Sequence, residues 1–238
     1  MSKEIYKPNF MRSLPCPEGG QFCDKCQYPI PSDCSGCLEC VRRKKDDDKQ
    51  RERWVERIGG MKAWNEYTLA RFEESGYNYK ALAAIKTFNW KKESILLCGP
   101  RGTGKSHLAA IAKRPLIMQG LDVITVSMPE VLGRVRTNIK DGKVLNGEIA
   151  RMATVKVLSI EDMGVEKPSE FVVEFYYRVI DGRYKEAKNG MLITMNQSIE
   201  DLESAWRPFD QYGRVTSRLM EMCKIESLRG ELDHRQNK

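Results

Sequence analysis

Eight consecutive residues, Gly99-Pro100-Arg101-Gly102-Thr103-Gly104-Lys105-Ser106, fit the pattern G-x-x-x-x-G-K-[ST] in full. Glycines at that spacing let the backbone curl until successive N–H groups converge on one point, which suits the oxygens of a phosphate. A helix starting at Lys105 adds partial positive charge at the same point. Lys105 would reach the β- and γ-phosphates of a nucleotide, and the Ser106 hydroxyl would hold Mg²⁺. The run follows an apolar stretch, Ser94-Ile95-Leu96-Leu97-Cys98, and precedes a helical pattern, the context such a loop requires. A glycine-rich turn beside an unrelated lysine explains the pattern less well.

A phosphate loop works with carboxylates at the end of a neighbouring strand, which hold the metal's water shell and orient the attacking water. The run Val155-Lys156-Val157-Leu158-Ser159-Ile160 ends in Glu161-Asp162 and supplies that pair, with Glu161 as a second magnesium ligand. A further apolar run, Leu192-Ile193-Thr194-Met195, ends in Asn196, whose amide could hydrogen-bond the γ-phosphate or the water. In isolation these residues would read as turn formers; their places after strands give them the chemical reading.

Six of the eight cysteines, Cys16, Cys23, Cys26, Cys34, Cys37 and Cys40, crowd the first 40 residues. Cys23-x₂-Cys26 and Cys37-x₂-Cys40 are two thiolate pairs, each able to turn both sulfurs toward one ion, and Zn²⁺ accepts four in a tetrahedron. The segment has few large apolar side chains, so metal binding would supply folding free energy that its core lacks. Cys34 could stand in for Cys37 or Cys40, and Cys16 for Cys23. An iron–sulfur centre is the alternative, but the Cys-Pro ending of the bacterial ferredoxin run is missing. Redox-active dithiols would not need six cysteines. Lys25 is the only basic residue between Cys23 and Cys40, which favours docking to protein over gripping phosphate.

The elements that must position these groups follow from apolar patterning. Ser94–Cys98, Asp122–Ser127, Val155–Ile160 and Met191–Met195 read as buried strands separated by helical material, which predicts an α/β fold with a parallel sheet covered on both faces. Phe171, Val172, Phe175, Tyr176, Val179 and Ile180 form one helical stripe, with Ser169 placed to cap it. Pro115 should kink or end the helix that follows the phosphate loop. Upstream, residues 41–57 alternate blocks of opposite charge, read as a solvated helix or linker broken by Gly59-Gly60. The organisation expected is a zinc-binding module over 1–45, a charged helical linker over 46–66 and an ATPase domain over 67–238.

Composition bounds the function. At 41% hydrophobic and 31% charged, the chain has a globular composition, and it lacks the roughly 18 consecutive apolar residues of a membrane span. The first residues form no apolar secretory segment, so a cytoplasmic protein is expected. A net charge of +7 favours a polyanionic partner, with Arg134, Arg136 and Lys140 as candidate contacts, although a solvated helix face explains them equally well.

Taken together, these motifs resemble the AAA+ P-loop ATPases of the DnaC/DnaI-type replicative helicase loaders and the related IstB-type transposition helper ATPases. The resemblance runs from about Tyr67 to Arg235. It rests on Gly99–Ser106 with His107-Leu108-Ala109, on Ile160-Glu161-Asp162-Met163-Gly164-Val165-Glu166-Lys167, on Arg183-Tyr184, on Thr194-Met195-Asn196, and on Arg214-Val215-Thr216-Ser217-Arg218-Leu219. It implies that Glu161 and Asp162 take the Walker B places, that Asn196 takes the sensor 1 place, and that His107 belongs to the nucleotide-binding segment. Arg218 would be an arginine finger offered to a neighbouring copy, a role that Arg214 could share. The implied partners are the hexameric replicative DNA helicase, single-stranded DNA and further copies of the chain. The implied alternatives are a transposition helper ATPase, against which the cysteine cluster speaks, and a nucleotide-gated adaptor with little hydrolysis.

One departure from the family pattern carries an expectation. Glu161 stands where the family usually has Asp, and one extra methylene moves the carboxylate by about a bond length at a metal that demands near-octahedral placement. Turnover should therefore be slow with nucleotide binding less affected. A phosphate-release assay on the metal-replete protein should show faster hydrolysis after Glu161→Asp, and an unchanged or lower rate would remove this explanation.

Overall fold

Residues that alternate along an extended chain point to opposite faces of a sheet, so a strand apolar at every position must be covered twice. The computed structural model of the protein describes residues 21–22, 29–30, 49, 52–138, 142–186 and 190–228. Two compact units divide the chain, Met1–Arg53 and Trp54–Lys238. In the first, β1 (Gln21–Phe22) pairs antiparallel with β2 (Pro29–Ile30). The expected zinc ligands Cys23, Cys26, Cys37 and Cys40 lie outside the described residues.

The second unit holds a parallel sheet of β3 (Ser94–Cys98), β4 (Val123–Ser127), β5 (Val157–Met163), β6 (Gly190–Met195) and β7 (Cys223–Ser227). Their order is β4-β5-β6-β3-β7. Ile95 and Leu97 of β3 face one core with Ala81, Leu82 and Ile85 of α3 (Tyr79–Lys86) and Leu108 and Ile117 of α4 (Lys105–Met118). Ile58 from helical residues 52–58 (α1) and Ala63 of α2 (Met61–Glu66) are buried in that same core. Leu96 and Cys98 face the other core, built by α5 (Met128–Thr137), α6 (Gly142–Thr154), α7 (Glu170–Lys185), α8 (Ile199–Trp206) and α9 (Arg214–Met222). The expected α/β architecture with helices on both faces is the one observed.

The four expected strands are present: β3 has the expected bounds, and the other three differ at one or both ends by one to three residues. The short pair β1 and β2 was not anticipated, nor was the fifth strand of the parallel sheet, β7, where Lys224, Ile225 and Ser227 are exposed. Among the described residues it pairs only with β3, and an edge strand needs no continuous apolar run. In α7 Phe171 is only half-buried, and the rest of the predicted stripe, Val172, Phe175, Tyr176, Val179 and Ile180, is at most 1% exposed. Each such side chain contributes about 1.5–3 kcal/mol by leaving water. The Ser169 hydroxyl accepts from the Val172 N–H at 3.3 Å, as an N-cap should. Pro115 does not end α4, which continues to Met118. Pro115 is exposed, while Ile117 anchors the last turn in the core.

Two charged residues fix elements around the site. Arg183 of α7 is fully buried and donates from Nη1 to Met152 O (2.8 Å) and Val155 O (3.0 Å) and from Nη2 to Gly190 O (2.7 Å), joining the end of α6 to the start of β6. Burial lowers its pKa to about 10, so it keeps its proton at neutral pH. Asp210 accepts from the Val215 N–H (3.1 Å) and from Arg214 Nε (3.1 Å), holding the first turn of α9.

Burial pushes the Asp210 carboxyl up, but the hydrogen bonds from Val215 and Arg214 and the guanidinium charge outweigh it and hold the pKa below the ordinary carboxylate value. A group depressed in the folded state contributes stability above its unfolded pKa and loses it as pH falls through the folded value. Asp210→Asn should therefore cost about 1–2 kcal/mol at neutral pH. In urea melts from about pH 7 to about pH 3, the gap between variant and parent should close toward the acid end.

Candidate nucleotide site

Parallel strands bring their C-terminal ends to one edge of a sheet, where ligands bind in open α/β folds. The loop Gly99–Ser106 leaves β3, Glu161 and Asp162 lie near the end of β5, and Asn196 follows β6. Because β6 is paired between β3 and β5, Asn196 stands between the loop and the carboxylates. Neighbouring strands lie about 4.8 Å apart, so two spacings leave about 10 Å across the site, room for a phosphate and a hydrated cation.

The loop is shaped by its glycines: φ is 140° at Gly99, 81° at Gly102 and 89° at Gly104. At Gly99 a Cβ would lie 2.1 Å from Leu228 O, because the chain leaving β7 returns to bond Cys98 O through the Leu228 N–H at 2.8 Å. Lys105 is 5% exposed, and its ammonium donates to Gly99 O (2.8 Å) and Pro100 O (2.6 Å). The Thr103 hydroxyl donates to Pro100 O at 2.9 Å. A phosphate oxygen would offer Lys105 a charged acceptor, stronger than these carbonyls.

Asp162 adopts φ 52°, a left-handed conformation uncommon outside glycine, at the register shift between Ile160 and Met163. Its N–H donates to Thr194 Oγ1 (3.0 Å), and its Oδ1 accepts from Asn196 Nδ2 (3.2 Å). The bulge thus re-aims the carboxylate toward the sheet edge. Glu161 goes elsewhere: its Oε1 accepts from Lys113 Nζ of α4 at 3.0 Å. Lys113 is fully buried; burial draws its pKa down against the pull of the Glu161 charge.

A cavity of about 850 Å³ opens between these groups. Arg101 to His107, Asp162 and Asn196 line it, whereas Glu161 does not. Tyr67, Phe72 and Asn78 line it from the segment preceding β3. The His107 ring stacks on Tyr67 (5.0 Å between centroids), meets Phe72 edge-on (5.1 Å), and donates from Nε2 to Thr68 O at 2.8 Å. His107 therefore belongs to an aromatic wall beside the loop. Among the described residues no group of three or more His, Cys, Asp or Glu side chains gathers as a metal site. Magnesium does not need one, since it takes one or two protein oxygens with phosphates and water, and Ser106 and Asp162 are such donors. The cradle and its oxygen donors fit a magnesium nucleotide.

The sequence model of the family described as IstB-like ATP binding protein matches residues 39–238. The chain belongs to this family. The replicative helicase loader DnaC of Escherichia coli K12 is 24% identical over 119 residues, 49% of each chain. An ATP-binding protein of insertion sequence IS5376 from Geobacillus stearothermophilus is 27% identical over 141 residues, 59% of this chain and 55% of that one. The chain thus spans about half the length of the curated relatives it matches. A crystal structure of the DnaC helicase loader superposes with a TM-score of 0.60 at 22% identity, covering 71% of this chain and 100% of the other, so the fold is that of P-loop AAA+ proteins.

In this IstB-like ATP-binding domain, Arg218 lies outside the cavity lining. Its Nη2 pairs with Asp181 of α7 at 2.9 Å, Nη1 donates to Arg214 O at 3.2 Å, and the guanidinium lies 4.9 Å from the Tyr177 ring centre. Arg214 pairs with Asp210 and lies 4.4 Å from the same ring. Of the candidate DNA contacts, Arg134 pairs with Glu148 at 3.2 Å, Arg136 lies 5.9 Å from the Phe171 ring centre, and Lys140 is outside the described residues. The sequence reading missed Tyr67, Phe72, Asn78 and Lys113. Tyr67 and Phe72 stand more than 20 residues ahead of β3, so nothing contiguous with the loop signalled the wall.

The IstB-like domain should lose nucleotide when Lys105 is changed to Ala, and calorimetry with magnesium ATP should then show no binding heat. Asn196→Ala should keep binding within about threefold while lowering turnover by about 10²-fold, since an amide aimed at the reacting group acts mainly in the transition state. Equal losses in both variants would mean that Asn196 serves only the fold.

Proposed function

We propose that the protein is an ATP-dependent loader that docks onto the hexameric replicative DNA helicase and delivers it to single-stranded DNA during replication initiation. The observation that carries the reading is the cavity in which the Gly99–Ser106 loop, Asp162 and Asn196 meet. The similarity to DnaC supports the choice of partner.

In this reading Lys105 and the loop amides grip the phosphates, and the wall of Tyr67, Phe72 and His107 flanks the base. Asn196 and Asp162, joined to each other, orient the attacking water. Magnesium, when bound, would neutralise phosphate charge, held through Ser106 and Asp162. Arg218 would leave Asp181 to reach a neighbouring copy's nucleotide, which makes hydrolysis depend on assembly. The cysteine-rich segment, holding Zn²⁺ through Cys23, Cys26, Cys37 and Cys40, would be the helicase-docking module. A cytoplasmic site of action goes with this role, and no helix among the described residues is long and apolar enough to cross a membrane.

A second reading, a transposition helper ATPase, is favoured by the longer match to the insertion-sequence protein. Co-purification with the replicative helicase of the source organism separates the two. The loader should retain the helicase in an ATP-dependent manner and lose it after zinc is chelated. Failure to retain helicase in any nucleotide state would reject the loader, and binding to the transposase instead would establish the alternative.

A further inference from the structure

The nucleotide cavity makes no use of the ion pair between Lys113 and Glu161, although Glu161 adjoins the cavity's own carboxylate in sequence. Lys113 has no exposure, and its ammonium is held by Glu161 Oε1 and by Thr125 Oγ1, each at 3.0 Å. The Thr125 hydroxyl spends its own proton on Arg57 O, so it can only accept from Lys113. Gly59 leaves room for the carboxylate: a Cβ there would stand 3.3 Å from Glu161 Oε1. The acid is therefore enclosed by an ammonium and a backbone that makes way for it. Its side chain nonetheless remains 28% exposed at the sheet edge. A buried ammonium stripped of its counter-charge is costly, so this pair resists opening.

We propose that Lys113 is a positioning residue that competes with magnesium for Glu161, so that Asp162 alone of the two carboxylates serves the cavity while the pair is closed. The glutamate makes this arrangement, because an aspartate at the same strand position would end one methylene short of Lys113. The inference rests on the ATP-binding reading of the cavity. It assigns the expected slow turnover to a carboxylate held elsewhere, rather than to poor placement of a carboxylate already at the metal.

The test measures binding of a non-hydrolysable fluorescent ATP analogue to the full chain, first in EDTA and then across a magnesium titration. In Lys113→Met the magnesium midpoint should fall about tenfold, because the fraction of protein with Glu161 available rises by that factor. Affinity in EDTA should stay at the parent value. Lys113→Arg, which keeps a cation opposite Glu161, should restore the parent midpoint. Should Lys113→Met not fold, Lys113→Gln, which is neutral and keeps a hydrogen-bond donor near Thr125, takes its place and should also lower the midpoint; Glu161→Asp does not decide alone, because better placement at the metal predicts the same fall. A midpoint that is unmoved or raised overturns the proposal while leaving ATP binding intact. Absence of analogue binding by the parent chain, with or without magnesium, overturns the ATP-binding reading and this inference with it.

Discussion

A parallel strand can deliver its last residue only to the edge where its neighbours deliver theirs, and the pairing of β6 with β3 on one side and β5 on the other decides which residues meet. Were β5 paired directly with β3, the carboxylates would crowd the loop and Asn196 would have no place between them. The ladder from Ile95 and Leu192 through Cys98 and Met195 sets the height at which Asn196 emerges. Thr194, two positions earlier in the strand, then accepts from the Asp162 N–H. The site is a product of strand order before it is a product of side chains.

Two cations, Arg183 and Lys113, are fully buried on different terms. The terminal nitrogens of Arg183 donate to carbonyls at the end of α6 and the start of β6, where helix-end partial charge favours a guanidinium. Lys113 instead has a carboxylate and a hydroxyl. The two solutions differ in consequence. Carbonyls are fixed parts of the frame, so Arg183 is a brace, whereas a carboxylate can change partner. Arg218, paired with Asp181 and stacked over Tyr177, is partly exposed and resembles the second kind.

What could be read from the sequence was what is contiguous or periodic. The phosphate loop is eight adjacent residues, and the α7 stripe repeats at the helical period. β7 escaped because an edge strand with Lys224, Ile225 and Ser227 exposed carries no continuous apolar signal. The tie between Lys113 and Glu161 escaped because the partners are 48 residues apart, and a lysine in a helix ordinarily reads as solvent-facing. The direction of Asp162 was also beyond reach, since it depends on a bulge that moves one carboxylate away from the alternation of its strand. Pro115 misled through a true local rule: proline disfavours helix, but Ile117 packs firmly enough to carry the helix past it.

The contact between Gly99 and Leu228 bears on how the loop can be dissected. Residue 99 answers to two masters, the curl of the phosphate cradle and the passage of the descending chain after β7. An alanine there would collide with that passage even in a protein that never met a nucleotide, and a scan of the motif would record the injury as lost binding. At Lys105, by contrast, truncation adds no atom to collide; it removes the ammonium together with its bonds to Gly99 O and Pro100 O.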